Sequence, residues 1–175
     1  MKRYLLSFFL LGTLVMMVVM AKTGATLKTA ATPMGILNLE FAYNISKTTA
    51  VINAWSPSKE LDNISIAKVN TYWDFLFLFF YAGFLFIACK KIAANSTGPV
   101  ASAGNIIAKA ALGAGFLDIL ENAGMLITLN GYPSSAVSFC TTFISIIKWG
   151  LAIIAVIYVL TGLLVLGYRK IKQLK

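Results

Sequence analysis

Four apolar runs, each long enough to cross a bilayer, constrain this chain more than anything else in it. A spanning helix needs about 20 apolar residues. YLLSFFLLGTLVMMVVMA (residues 4–21), WDFLFLFFYAGFLFIAC (73–89) and the stretches 102–129 and 136–168 approach or exceed that length. Backbone groups in lipid must satisfy one another, so such runs form helices. The expected fold is all-α: one membrane domain, residues 1–175, with a bundle of four transmembrane helices. The composition agrees, with 59% hydrophobic and only 12% charged residues and a mean hydropathy of +0.82. A soluble domain carries about a quarter charged residues.

Charge placement suggests an orientation. With the N-terminus inside, Lys2, Arg3, Lys90, Lys91, Arg169, Lys170, Lys172 and Lys175 all lie on the cytoplasmic side, with no acid among them. Lys22, Lys28, Lys47, Lys59 and Lys68 fall outside, mixed with Glu40, Glu60 and Asp62. The positive-inside rule then holds at every loop and puts both termini in the cytoplasm. Residues 169–175 form a basic cytoplasmic tail. The net charge of +9 does not indicate nucleic-acid binding, because the basic residues flank apolar runs and form no stripe with interleaved aromatics. The basic start and apolar core of the first run also resemble a signal peptide. That core is long for one and no small-x-small site follows at once, so retention as an anchor is expected.

The outer segment 22–72 shows helical spacing. Ile36, Leu37, Glu40 and Phe41 form one set, and Thr48, Val51, Ile52 and Trp55 another. Ser56-Pro57, with Glu60 in the first turn, reads as the start of a third helix carrying Leu61, Ile64 and Trp73 toward the second span. Two or three short amphipathic helices are expected on the outer face, lying on the membrane surface or capping the bundle. In the second span, Phe75, Phe77, Phe79 and Phe80 read as lipid-facing or packing residues, and Gly83 as a close-contact point. Cys89 and Cys140 fall near opposite faces and are expected to be reduced packing residues. With no histidine in the chain, the commonest metal ligand and neutral-pH base is missing.

The third run carries FLDILENAG. Asp118, Glu121, Asn122 and Met125 stand at i, i+3, i+4 and i+7, and Ala111 and Gly115 extend the same face. Small residues there suit close helix approach, so this face is expected to look into the bundle. By helical rise, Asp118 lies about 16 Å below the outer end of its helix and Lys148 about 18 Å below the outer end of the next. The equal depths predict an Asp118–Lys148 ion pair. Glu121 is left without a cation, and Asp74 and Glu40 are further outer acids. The candidate ligand-binding set is therefore Glu40, Asp74, Asp118, Glu121, Asn122 and Lys148. It is read as an outward-facing pocket, with Asp118 and Lys148 as its floor. An ionisable residue inside a membrane marks a functional site by default, although polar side chains also simply hold helices together.

GILNLEFA (35–42), AVINAW (50–55), WDFLF (73–77) and DILEN (118–122) together resemble a family of small bacterial inner-membrane proteins with four helices. The resemblance covers most of the chain and implies a fold, but it brings no activity, cofactor or catalytic residue.

Three functions fit. The first is binding or transport of a small cationic or amphipathic ligand, with transport requiring a homo-oligomer because four spans are few for a carrier. The second is an intramembrane enzyme using carboxylate acid/base chemistry on a lipid-like substrate. The third is a structural or assembly subunit of a membrane complex. No cofactor or metal site is indicated, and the expected partners are the lipid bilayer, a small cationic or lipid-like ligand and further copies of the chain.

Overall fold

A computed structural model describes residues 3–56 and 62–173. Among them, all regular structure is helical. Helix α1 (Arg3–Thr23) is followed by a single 3-10 turn at Ala25–Leu27, the one-turn helix α2 (Leu37–Glu40) and helix α3 (Ile45–Trp55). Three long helices follow: α4 (Asn63–Ala94), α5 (Gly98–Leu129) and α6 (Ser135–Gln173). α1, α4, α5 and α6 are each long and apolar enough to cross a membrane. The chain is an integral membrane protein built as a helical bundle.

α4, α5 and α6 pack side by side, with α1 laid along α4. Short connections make α4, α5 and α6 run up and down in turn. Gly115 faces Ala82 so closely that a β-carbon on the glycine would stand 2.8 Å from the alanine's. Gly12 and Gly83 make the room that Phe80 and Phe9 occupy at the α1–α4 contact. Gly83 is thus a close-contact point, as expected. Phe79 is exposed, while Phe80 packs on Phe8 and Phe9.

The long helices overrun the expected spans, and the surface helix expected before the second span is part of α4 itself. No proline or glycine interrupts residues 62–82. Asp62, rather than Ser56, caps the helix: its side chain accepts from the Ser65 amide at 3.1 Å and from the Ser65 hydroxyl. Ser56 instead closes α3, its amide bonding to the Asn53 carbonyl. Pro57, Glu60 and Leu61 lie outside the described residues. The stretch expected as a basic tail is helical as far as Gln173.

α1 serves as a ruler for the others. At its far end, Asn70 of α4 donates to the Met20 carbonyl (3.1 Å) and the Thr23 hydroxyl (2.7 Å). From that level α4 continues seven residues to Asn63, about 10 Å further. α2 and α3 fill the space around this overhang and form a cap. Leu27, Leu39, Val51, Trp55, Ala67, Met125 and Leu129 make its core. The indole of Trp55, fully buried, donates to the Leu27 carbonyl at 3.0 Å and the Thr32 hydroxyl at 3.1 Å. At the opposite, tail end, a second apolar core joins Leu85, Ala88, Cys89 and Ile92 to Ala108, Ala111, Ala155 and Val159. Cys89 is a packing residue, but Cys140 is exposed, and both are free thiols.

Candidate functional site

Between the two apolar cores lies a polar layer, and Lys148 is at its centre. Along α6, Ser138, Thr141, Thr142, Ser145 and Lys148 recur at helical spacing, and all five are buried. This stripe faces the cap and α5. The Lys148 ammonium donates to Asp118 Oδ1 at 3.0 Å and to Glu121 Oε1 at 2.9 Å. It stands 2.9 Å from Glu121 Oε2 as well, with no hydrogen bond to that atom, and 3.6 Å from Glu40 Oε2. One lysine of α6 thus meets three carboxylates, two from α5 and one from α2.

Two of these three acids, Asp118 and Glu40, have a second tie. Tyr81 of α4 donates to Asp118 Oδ2 at 2.7 Å. The Trp149 indole donates to Glu40 Oε2 at 3.1 Å. The Glu40 carbonyl accepts from Thr142 at 2.8 Å and from Ser145 at 3.4 Å, so α6 holds this one-turn helix by backbone and side chain together. Gly35, at φ +62°, supplies the turn that admits α2 to the bundle. Asn122 donates from Nδ2 to Asp74 Oδ2 at 2.8 Å, leaving its fully buried Oδ1 without a partner.

All six candidate residues therefore fall in one layer. Glu40, Asp118, Glu121 and Lys148 make direct ionic contact. Asp74 and Asn122 form a neighbouring pair, joined to the rest through the turn of α5 that carries Asp118, Glu121 and Asn122. The Asp118–Lys148 pair matches the expectation. Glu121, expected to lack a cation, shares the same ammonium.

The open, outward-facing pocket expected around these residues gives way to buried side chains. Glu121 and Asn122 are 0% exposed and Asp118 2%, and Asp74 alone keeps partial exposure. The cap core covers the layer on one side and the tail-end core closes it on the other. Asp74 is four residues below Asn70, about 6 Å, so the layer begins close to the level where α1 ends.

Tyr81, Trp149, Thr142 and Ser145 were not among the candidates. The hydroxyl stripe at residues 138, 141, 142 and 145, leading to Lys148, is visible in the sequence and marks the α6 face. The part played by Trp149 had no signal beyond its place next to Lys148.

Counted as ions, the layer holds four carboxylates and one ammonium. Isolated charge in low dielectric is costly, so this arrangement is suited to holding further positive charge, as protons or as a small cation. Among the described residues, no three His, Cys, Asp or Glu side chains are arranged to hold a metal ion. Searches against protein-family models, curated proteins and solved structures each found no match.

Proposed function

We propose that this protein binds a small cationic ligand, the proton included, in the polar layer around Lys148, and that an oligomer of it carries this ligand across the membrane. The observation that supports the reading is the charge count: four acids around one lysine, buried between two apolar cores. A layer whose only task was to join helices would be better served by equal numbers of each sign. Asp74, half-buried and tied to Asn122, is the point of entry. Because apolar cores close both poles, uptake requires the cap to move, and Glu40 is the cap residue that would feel a change of charge in the layer. The distribution of basic residues supports an orientation with the tail end and both termini in the cytoplasm and the cap outside, and the proposed membrane is the inner membrane of a bacterium.

The test is thermal unfolding of the detergent-purified full chain, across pH and against alkali cations and protonated amines. The expected result is a ligand-dependent rise in Tm that Asp74→Asn removes while basal Tm stays near the parent's. If no cation and no pH change shifts the parent, and Asp74→Asn alters only basal stability, the layer joins helices and carries nothing.

A further inference from the structure

Away from this layer, one lysine in the spanning part of the bundle has no counter-charge. Lys109 lies on α5, within the third apolar run, and its side chain is exposed on the outside of the bundle. No hydrogen bond or ion pair joins it to any described residue. Among the described residues the acids are elsewhere: Glu40, Asp74, Asp118 and Glu121 in the polar layer, and Asp62 at the start of α4. A charged side chain inside a membrane marks a functional position by default.

The surroundings of Lys109 indicate what neutralises it. One turn earlier on the same face of α5 is Asn105. Its Oδ1 accepts from the ammonium of Lys90 on α4 at 2.7 Å, and its Nδ2 is held by the Ala101 carbonyl at 3.0 Å. Lys90 is thereby fixed across the α4–α5 seam. Side chains on a helix lean toward its N-terminus, which for α5 is the tail end. Lys109 is rooted about 6 Å deeper than Asn105, so its flexible stem brings the ammonium toward the level of Lys90. The start of α1 reaches the same level, since Phe9 packs at Gly83 and Arg3 lies six residues further along an antiparallel helix. Lys90 and Lys109 are thus both exposed toward the tail end of the bundle, one bonded to Asn105 and the other rooted one turn beyond it. Lys91, also exposed, follows directly.

From this geometry we infer that Lys90, Asn105 and Lys109 clasp the phosphate of an anionic phospholipid in the tail-side leaflet. The occupant is a lipid and not a dissolved anion, because Lys109 is rooted in the apolar span, where a headgroup with its acyl chains reaches and a hydrated ion does not. An anionic headgroup is favoured over a zwitterionic one because the seam supplies positive charge with no acid beside it to receive a choline or ethanolamine.

The test uses the full chain in mixed micelles of neutral detergent, with phosphatidylglycerol or phosphatidylcholine added, and with glycerol phosphate as the soluble control. Retained lipid is counted by native mass spectrometry, and Tm is followed in parallel. Expected is a preference for phosphatidylglycerol in both readouts, which Lys109→Met weakens by about fivefold in affinity, the contribution of one interfacial lysine. Lys109→Arg retains it, and Lys47→Met, at the cap end, leaves it unchanged. Lys109→Met replaces a lipid-facing charge with an apolar chain, so the variant is expected to fold. The inference is overturned if the two lipids bind equally, if Lys109→Met keeps the full preference, or if glycerol phosphate alone reproduces the shift.

Discussion

The ammonium of Lys148 is 2.9 Å from both carboxylate oxygens of Glu121, yet the same nitrogen also serves Asp118 and lies within ionic reach of Glu40. It ties α6 to α5 and to the cap at a single point. Removing it leaves three buried acids without a cation. Lys148→Met is therefore expected to cost about 3–5 kcal/mol, the usual penalty for orphaning a buried charge. Adding Glu121→Gln should recover part of the loss, since an amide needs no counter-charge. Chemical unfolding in detergent measures both, and a Lys148→Met protein as stable as the parent would disprove the central role.

The α4–α5 seam depends on the missing side chain at Gly115. A β-carbon there would meet that of Ala82 at 2.8 Å, well inside contact distance, so the helices must part. Gly115→Ala is expected to destabilise by about 1–3 kcal/mol. Combining it with Ala82→Gly should restore most of that. Equal stability losses in the single and double variants would argue that the seam is not the cause.

Trp55 pins the cap to the turn that follows α1. Trp55→Phe keeps most of the ring but removes the N–H that the Leu27 carbonyl and Thr32 hydroxyl accept. The Leu27 carbonyl keeps the Thr32 hydroxyl as a donor at 2.8 Å, so the expected cost is that of a lost buried hydrogen bond, about 0.5–1.5 kcal/mol. It should appear locally, as faster proteolysis within residues 28–56 while the spanning helices stay resistant.

The α4 start should respond to acid. The Asp62 carboxylate is hydrogen-bonded by the Ser65 hydroxyl and amide, which hold its pKa below the ordinary aspartate value. A carboxyl lowered in the folded state stabilises it above the unfolded-state pKa of about 3.9. That contribution falls away as pH drops through the lower folded value. Amides in the first turn of α4 are thus expected to lose hydrogen-exchange protection, relative to intrinsic rates, below about pH 4. Asp62→Ala should show the weaker protection already at neutral pH. A first turn with the same protection at both pH values would rule out the cap.

Much of this architecture was legible in advance. The four runs announced four helices because unpaired backbone is intolerable in lipid. Asp118 and Lys148 announced each other because both needed a partner at a similar depth. Glu121 was harder to place: sequence spacing gives the face of a helix but cannot say that one ammonium will reach two acids a turn apart. Glu40 was harder still, since only the turn at Gly35 and the α6 hydroxyls decide that a one-turn helix enters the bundle.

The sequence by itself determined which segments are apolar helices, which face of α5 is polar, and where the basic ends lie. These follow from periodicity and from the cost of exposing backbone or charge to lipid, both local properties. The tertiary structure alone decided that α4 continues into the cap without a break and that the acids are covered instead of open. It also decided that Lys148 serves three acids while Lys109 has none. Those outcomes depend on where separate helices come level with one another, and helix register is set by packing between side chains far apart in the chain.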